Sequence, residues 1–187
     1  MMRSLFAISA LAATTLLTGC ANTQQVVRND RVGYEQAAKD QFLSTNRSAI
    51  DALAARIDPK YRGDAPVLVA TMVNVNNLTM SSPLGRTLSE QYASGMVSNG
   101  YNVKEMKLRD SIFIREETGE LMLSREIKEI ARANQASLVI VGTYSAADRL
   151  TFITLKAVRT EDGRIVAAHD YAIPIDSDVG RLLGKGR

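Results

Sequence analysis

The chain has 187 residues, with 23 basic and 20 acidic side chains and a formal net charge of +3. Lysine and arginine alternate with aspartate and glutamate and form no basic run, which is not the charge distribution of a nucleic-acid-binding protein. The sequence contains one cysteine and one histidine, and this excludes a thiolate cluster and a multi-histidine metal site. We therefore expect no nucleic-acid partner and no cofactor.

The first 19 residues have the pattern of an export signal. Arg3 supplies a positive charge before the apolar run Leu5–Leu16, which is shorter than the about 20 residues of a membrane-spanning helix. Leu17, Thr18, Gly19 and Cys20 follow, and a leucine, two small residues and a cysteine are the pattern of a bacterial lipoprotein signal. We expect cleavage before Cys20, a diacylglycerol on its thiol and acylation of the new amine.

Acylation of Cys20 would also fix the location of the protein. Two or more acyl chains hold a protein stably on a membrane, since each buried methylene contributes about 0.8 kcal/mol. Ala21 follows the cysteine, rather than the aspartate that commonly retains lipoproteins in the inner membrane. We predict a lipid anchor in the cell outer membrane, a lipidated tether over residues 20–29, and a body that faces the periplasm. The alternative is that Cys20 is an ordinary buried, apolar cysteine.

Residues 30–60 have the apolar spacing of a helical segment. Asn29 or Asp30 can cap its start, and Pro59 ends it because the residue before a proline avoids the helical conformation. The polar stretch Ser44–Asn46 leaves two possibilities, one helix of about seven turns or two helices with a break. We expect the apolar stripe to pack on its own domain rather than on a neighbouring subunit. The apolar positions are Tyr34, Ala38 and Phe42, followed by Ile50, Leu53, Ala54 and Ile57.

A β-α-β unit follows this segment. The apolar, β-branched run Val67–Val73 predicts a strand that is buried on both faces at the centre of a sheet. Ser82 caps the next helix, Pro83 takes its first position and Gly100 ends it. Tyr101–Leu108 predicts a second strand, parallel to the first and reached by a right-handed crossover. The buried stripe of the helix consists of Leu84, Leu88, Tyr92 and Met96, with Gly95 permitting a close approach.

A hairpin, a helix and an antiparallel meander are predicted next. Two short apolar runs, Ile112–Ile114 and Leu121–Leu123, flank a charged tip that contains glycine, and Ser124 caps the helix that follows. The inner face of this helix is Ile127, Ile130, Ala131 and Asn134, and the meander strands are Ser137–Ser145, Leu150–Val158 and Arg164–Ile173. From Pro174 onward the chain is polar and rich in glycine. Residues 66–174 are therefore predicted as one domain and residues 175–187 as a flexible tail.

These elements predict an α/β (α+β) fold. It is a two-layer sandwich of a mixed β-sheet, with a β-α-β unit, a C-terminal antiparallel meander and covering helices. The sequence has no tryptophan and 4 phenylalanines. We therefore expect a core built from layers of aliphatic side chains.

Five stretches in the middle of the chain are characteristic of a known family: Ser82–Arg86, Leu108–Asp110, Arg115–Glu117, Gly119–Arg125 and Val141–Tyr144. With them, the chain from about Val67 to Tyr171 resembles the FlgO family of outer-membrane lipoproteins. The resemblance is most specific between Arg115 and Arg125. It implies an α/β domain and a role in the outer-membrane ring or disc around a flagellum, in support of motility. No catalytic residue comes with the family.

Charged residues around the predicted hairpin form the candidate partner-binding site, which we call the charged rim. It consists of Arg109, Asp110, Arg115, Glu116, Glu117 and Arg125. Complementary charges set the register and encounter rate of a complex, so such a rim suits a protein partner. Two alternatives are a solvated, ion-paired hairpin and an acid–base pair of carboxylates.

Two further positions are candidates for a catalytic base and for an anion site. His169 alternates with Ala167 and Tyr171, and this favours a histidine on the face of a strand over a catalytic base. The N–H groups at the start of the Pro83 helix, with Arg86 nearby, are able to hold an anion, as at any helix start.

The sequence as a whole predicts a non-enzymatic envelope protein. We expect an outer-membrane lipoprotein whose periplasmic domain is a structural or assembly factor, with protein partners or self-association in a ring-like envelope assembly. The flagellar outer-membrane ring is the preferred assembly. The alternatives are a general cell-envelope lipoprotein, a periplasmic module that binds a small ligand or peptidoglycan, and a hydrolase, for which no set of nucleophile, base and orienting group is evident.

Overall fold

The computed structural model describes residues 32–78, 80–105, 113–115, 121–123 and 125–184. The chain divides into two units, Met1–Gly33 and Tyr34–Arg187, and the fold below is that of the second. The signal peptide, Cys20 and the tether predicted over residues 20–29 lie outside the described residues.

The second unit contains short helices and two sheets. The helices are α1 (Tyr34–Ala38), α2 (Gln41–Arg56), α3 (Pro83–Ser98), α4 (Arg125–Ala133) and α5 (Ser177–Leu182), with a 3₁₀ turn at Pro59–Tyr61. The strands are β1 (Val67–Val69), β2 (Val73–Asn74), β3 (Val103–Glu105), β4 (Phe113–Arg115), β5 (Leu121–Leu123), β6 (Leu138–Ala146), β7 (Leu150–Arg159) and β8 (Ile165–Pro174).

The main sheet has six strands in the order β3-β1-β6-β7-β8, and β2 also pairs with β6. Val67 of β1 lies opposite Val103 of β3 and Leu138 of β6, and both pairs of strands are parallel. β6, β7 and β8 form an antiparallel meander, and β4 and β5 form a separate antiparallel hairpin. The predicted fold class is confirmed, including the β-α-β unit β1-α3-β3 and the meander.

The strand predicted over Val67–Val73 is in fact two short strands. β1 is an interior strand with β3 and β6 as neighbours, next to the central strand β6, and its pairing stops at Val69 and resumes at β2. Between them, the backbone N–H of Met72 donates to the hydroxyl of Ser89 on α3, at 2.9 Å. A side chain thus satisfies a backbone donor that a continuous strand would give to its neighbour.

The predictions for α3 are confirmed in detail. The Ser82 hydroxyl accepts from the N–H of Gly85 at 3.3 Å, Pro83 takes the first turn, and Gly100 ends the helix with φ of +81°. Gly95 lets α3 approach α2 closely, because an added Cβ there would lie 2.3 Å from Cγ2 of Ile50. The predicted stripe is fully buried at Leu84, Leu88, Tyr92 and Met96.

Helices cover the two faces of the main sheet unequally. On one face α2 and α3 pack against the sheet in the larger hydrophobic cluster, which includes Ile50, Leu88 and Leu155. On the other face Ile127 and Ala131 of α4 cover β1 and β6. In β7 the first four side chains alternate between exposed and buried. The face of β7 and β8 that points away from α2 therefore lies open at the Leu150 end.

α2 lies antiparallel to β8 on the covered face. At its C-terminal end Arg56 donates to the carbonyl oxygen of Ala168, at 2.6 Å. In its middle Asn46 accepts from the hydroxyl of Tyr171, at 2.6 Å. Its first turn shares a small cavity with Pro174, the last residue of β8. The predicted packing of the N-terminal helical segment on its own domain is confirmed for α2.

The break in the N-terminal helical segment is not where the sequence analysis considered it. The chain turns between α1 and α2, where the carboxylate of Asp40 caps α2 by accepting from the N–H of Leu43 at 3.2 Å. Ser44–Asn46 instead lies within α2. The hydroxyl of Ser44 donates to the carbonyl oxygen of Gln41 in the preceding turn, and the buried Asn46 has hydrogen-bond partners in the rest of the fold. α1 buries none of its residues.

The C-terminal tail is partly ordered, contrary to the predicted flexible segment over residues 175–187. The carboxylate of Asp176 accepts from the N–H groups of Asp178 and Val179, at 3.0 and 2.8 Å, and so starts α5. Val179 is 2% exposed and belongs to the larger hydrophobic cluster. A capped helix of six residues with one buried valine was too short to give a periodic signal in the sequence.

Candidate functional site

The predicted site residues lie mostly outside the part of the chain that the structure describes. This holds for Cys20 and, within the charged rim, for Arg109, Asp110, Glu116 and Glu117. The backbone places Arg115 at the end of β4, opposite Leu121 of β5, and Arg125 at the start of α4. The charged rim and the lipidation site therefore stay predictions.

A buried polar cluster joins α2, α3 and β8. Asn46 is fully buried, and its amide nitrogen donates to Oε1 of Gln91 at 2.8 Å. The hydroxyl of Tyr171 donates to Oδ1 of Asn46 at 2.6 Å, so the hydroxyl of Tyr92 donates in turn to that of Tyr171. Each of these polar groups has a hydrogen-bond partner, and the cluster links α2 and α3 to β8 of the sheet.

Burial controls the ionisation of this cluster. It raises the pKa of Tyr92 well above the usual 10.0, and the neighbouring Tyr171 raises it further. Burial also raises the pKa of Tyr171, although the hydrogen bond from Tyr92 opposes the change. Both hydroxyls therefore stay protonated at physiological pH, which suits a structural hydrogen bond and not a general base.

A groove of about 280 Å³ opens beside the polar cluster, between α2 and α3. Its lining consists of Leu43, Arg47, Glu90, Gln91, Ser94 and Gly95. Arg47 and Glu90 give it charges of both signs, and Leu43, which is 46% exposed, gives it an apolar wall. The residues of this groove come from two helices whose contact could not be derived from spacing, so the sequence did not predict it.

β8 is an edge strand of the main sheet, and Arg56 lies against it. The guanidinium donates to the carbonyl oxygen of Ala168, and the same nitrogen lies 3.1 Å from Nδ1 of His169. The ring of His169 stacks on that of Tyr171 at 6.2 Å between centroids. His169 thus lies on a strand face, as predicted, and its Nδ1 is engaged as an acceptor of the arginine proton.

The start of α3 is already hydrogen-bonded within the protein. The hydroxyl of Ser82 accepts from the N–H of Gly85, and the N–H of Ser82 donates to the hydroxyl of Tyr144 at 3.0 Å. The guanidinium of Arg86 donates to the carbonyl oxygen of Ser81 at 3.4 Å. The geometry therefore gives no support to an anion site there.

Among the described residues, no group of three or more His, Cys, Asp or Glu side chains is placed to hold a metal ion. In the same described ranges, no helix combines the length and apolarity needed to cross a bilayer. The groove between α2 and α3 and the edge strand β8 remain as candidate sites there.

Comparison with known proteins gives a family and a set of structural likenesses. The model of a family described as FlgO protein matches residues 47–178. No curated protein sequence matches the chain.

Three solved structures illustrate the structural likenesses. The LpoB C-terminal domain from Salmonella enterica is 14% identical, with a TM-score of 0.47, and the match covers 68% of this chain and 97% of that domain. The PelC dodecamer from Paraburkholderia phytofirmans is 16% identical, with a TM-score of 0.42 and coverage of 66% and 85%. Lipoprotein GNA1162 from Neisseria meningitidis is 14% identical, with a TM-score of 0.41 and coverage of 65% and 92%.

Proposed function

The chain belongs to the FlgO family, whose model spans more than half of it, and from this we propose that it is a structural or assembly factor of the flagellar outer-membrane ring. Membership of this family supports the assignment of the chain as an envelope lipoprotein. The proposal adds that Cys20 carries the acyl chains, that these insert in the outer membrane, and that the domain acts from the periplasmic side without catalysing a reaction.

The family match carries this proposal, and three features of the molecule support it. The lipoprotein pattern ending at Cys20 supplies the anchor. The cluster of Asn46, Tyr92 and Tyr171 is paired within the protein, as expected of a rigid building block rather than of a reaction centre. In β8 the domain also has an edge strand of ten residues, and edges of this kind are used in subunit contacts.

Deletion of the gene tests the flagellar role. We expect loss of swimming and loss of the outer-membrane ring in electron micrographs of the flagellated pole. Wild-type protein restores both, whereas Cys20→Ser, produced at the same level, restores neither and leaves the membrane fraction. Normal swimming with an intact ring would contradict the flagellar role and leave a general envelope lipoprotein, whose partner would be sought by crosslinking.

The charged rim is tested separately, because its charges are proposed to meet a protein partner. Arg115→Glu together with Arg125→Glu should impair assembly while changing the thermal unfolding midpoint little, because the rim is predicted to be solvated and solvated ion pairs contribute about 0–1 kcal/mol to stability. A large fall in the midpoint would show that these residues are structural instead. Lys128→Glu, on the helix that Arg125 begins, is a matched control.

The groove between α2 and α3 favours a second candidate, a periplasmic module that binds a small zwitterionic ligand or cell-wall peptide. Its volume of about 280 Å³ lies near the lower end for ligand pockets, and Arg47 and Glu90 provide both charges. Sedimentation with purified peptidoglycan tests this role. Saturable binding that is lost in Arg47→Ala and kept in Arg181→Ala would support it, and no binding by the wild type would exclude the cell wall.

A further inference from the structure

One end of the main sheet carries an exposed apolar patch, which we call the end patch. Leu150 is 40% and Phe152 is 52% exposed, and their cross-strand partners on β8, Pro174 and Ala172, are exposed as well. The four side chains lie on the face of the sheet away from α2, beside the turn that contains Arg149. A shallow depression of about 520 Å³ lies at this turn. An exposed leucine and phenylalanine on one strand, next to exposed apolar residues on the neighbouring strand, indicate a contact surface.

The chain arrives from its N-terminus at this same end of the domain. The first turn of α2, at Gln41 and Phe42, borders one cavity with Pro174, and Pro174 lies directly opposite Leu150 in the sheet. α2 then runs away from this end, since Arg56 at its other terminus reaches Ala168. α2, the first helix to pack on the sheet, therefore begins at the end of the sheet that carries the end patch, on the opposite face.

From this placement we propose that the end patch is a membrane contact: Leu150 and Phe152 enter the phospholipid interface of the bilayer that holds the acyl chains of Cys20. This inference rests on the anchoring of Cys20 in the proposed function. Fully extended, the chain from Cys20 to Tyr34 spans at most about 50 Å. A domain held that close meets the bilayer at high effective concentration. A patch too small to bind a free protein to the bilayer is therefore sufficient to keep the tethered domain in contact with it.

The size and charge of the end patch favour a lipid surface over a second copy of the chain. A stable dimer uses about 20–30 residues on each side, and the end patch has four apolar ones. Arg149 can meet a lipid phosphate, but Asp148 beside it balances its charge. Contact should therefore depend on insertion of the apolar side chains and change little with salt.

The absence of tryptophan and the single cysteine make the test direct. The chain from Cys20 onward is coupled through its thiol to a maleimide phospholipid in vesicles of phosphatidylethanolamine and phosphatidylglycerol. Phe152→Trp places a single indole in the end patch. Ile165→Trp is the matched control, because Ile165 is 53% exposed and lies at the opposite end of β8 from Pro174.

We expect the indole of Phe152→Trp to emit at shorter wavelength on coupling and to be quenched by brominated lipid, with neither change in Ile165→Trp. Equal responses of the two indoles, or no response of either, would overturn the proposal. So would a concentration-dependent shift without vesicles accompanied by a dimer in sedimentation, which would assign the end patch to self-association.

Thiol coupling replaces the natural acylation in this experiment. If membrane-extracted protein proves to lack acyl chains on Cys20 by mass spectrometry, the proposed anchor fails and the coupled vesicle measurement still reports on the end patch alone.

Discussion

Asn46 occupies a position that an apolar side chain would ordinarily take. It lies on the buried face of α2 with 0% exposure, and both ends of its amide are hydrogen-bonded, to Gln91 and to Tyr171. A buried amide without partners costs about 1–3 kcal/mol, so Asn46 is compatible with the core only through these two residues. The polarity of Ser44–Asn46 suggested a helix break because the partners lie 45 and 125 residues away in sequence.

Replacement of Tyr171 by phenylalanine should be costly at the residue scale. Tyr171→Phe removes the donor to Asn46 and the acceptor for Tyr92, which leaves two buried polar groups without partners. We expect a loss of about 2 kcal/mol or more in the free energy of unfolding, measured by urea denaturation. Tyr34→Phe, at a position that is 92% exposed, is the control and should change little. A loss of unfolding free energy no larger than that of the control would mean that the hydrogen bonds of the cluster do not stabilise the fold.

Gly95→Ala tests the close approach of α3 to α2. The added methyl group would lie 2.3 Å from Cγ2 of Ile50, a β-branched side chain with little freedom to move aside. Overpacking costs about 1–3 kcal/mol, more than the about 1 kcal/mol of helix propensity that alanine gains over glycine. We expect a net loss of about 1 kcal/mol in denaturation experiments. Ser94→Ala, at an exposed position of the same helix, should be neutral or stabilising, and the same result for Gly95→Ala would contradict the prediction.

At the scale of elements, α5 shows what sequence patterns miss. Its cap, Asp176, and its buried residue, Val179, are three positions apart and lie in a stretch whose composition resembles a tail. Only the tertiary contacts of Val179 distinguish this segment from a loose one. The long strands of the meander were predictable for the opposite reason. β6 begins with a continuous apolar run, the first half of β7 alternates, and Gly163, with φ of +77°, marks the turn between β7 and β8.

Val179→Ala is expected to loosen the C-terminal element. Burial of a valine side chain contributes about 1.5–3 kcal/mol, and truncation to alanine should remove about 1–2 kcal/mol of that from the stability of the domain. The thermal unfolding midpoint and the susceptibility of the C-terminus to limited proteolysis report the change. Arg181→Ala, on the exposed side of α5, serves as the control. Equal unfolding midpoints and equal proteolysis of the two variants would show that this segment is a loose tail, as the sequence predicted.

At the scale of the whole molecule, the fold class was predictable and the position of the functional surfaces was not. The pairing of β1 with β3 and of β6, β7 and β8 with one another follows from the β-α-β unit and the short turns of the meander, which are local patterns. The pairing of β1 with β6, which joins the two groups, does not follow from them. The groove between α2 and α3 and the end patch depend on which helix lies on which face of the sheet, and spacing does not determine that. The charged rim is prominent in the sequence, but only Arg115 and Arg125 have a described backbone.

The stability of the whole domain should fall above about pH 10. Burial raises the pKa of Tyr92 and Tyr171 in the folded state, whereas the unfolded chain releases these protons near the ordinary value of 10.0. The unfolded state then binds fewer protons than the folded state, and the free energy of unfolding decreases as the pH rises. Below that pH these two groups contribute no pH dependence.

Urea denaturation at a series of pH values, with tyrosinate absorbance recorded in parallel, measures this effect. Tyr171→Phe should show a shallower decline above pH 10 than the wild type, because one of the two raised pKa values is removed. An unchanged slope in this variant would assign the decline to other groups.

The antiparallel course of α2 along β8 also has a mechanical consequence. A tension applied to the domain through its N-terminal chain passes along α1, which buries nothing and so offers no resistance, and then reaches the first turn of α2. Phe42 is only partly buried there, and the first hydrogen bonds that join α2 to the rest of the fold are those of Asn46. The hydrogen bonds of Asn46, to Gln91 and to Tyr171, are therefore the first polar contacts that must break when such a pull lifts α2 from the sheet.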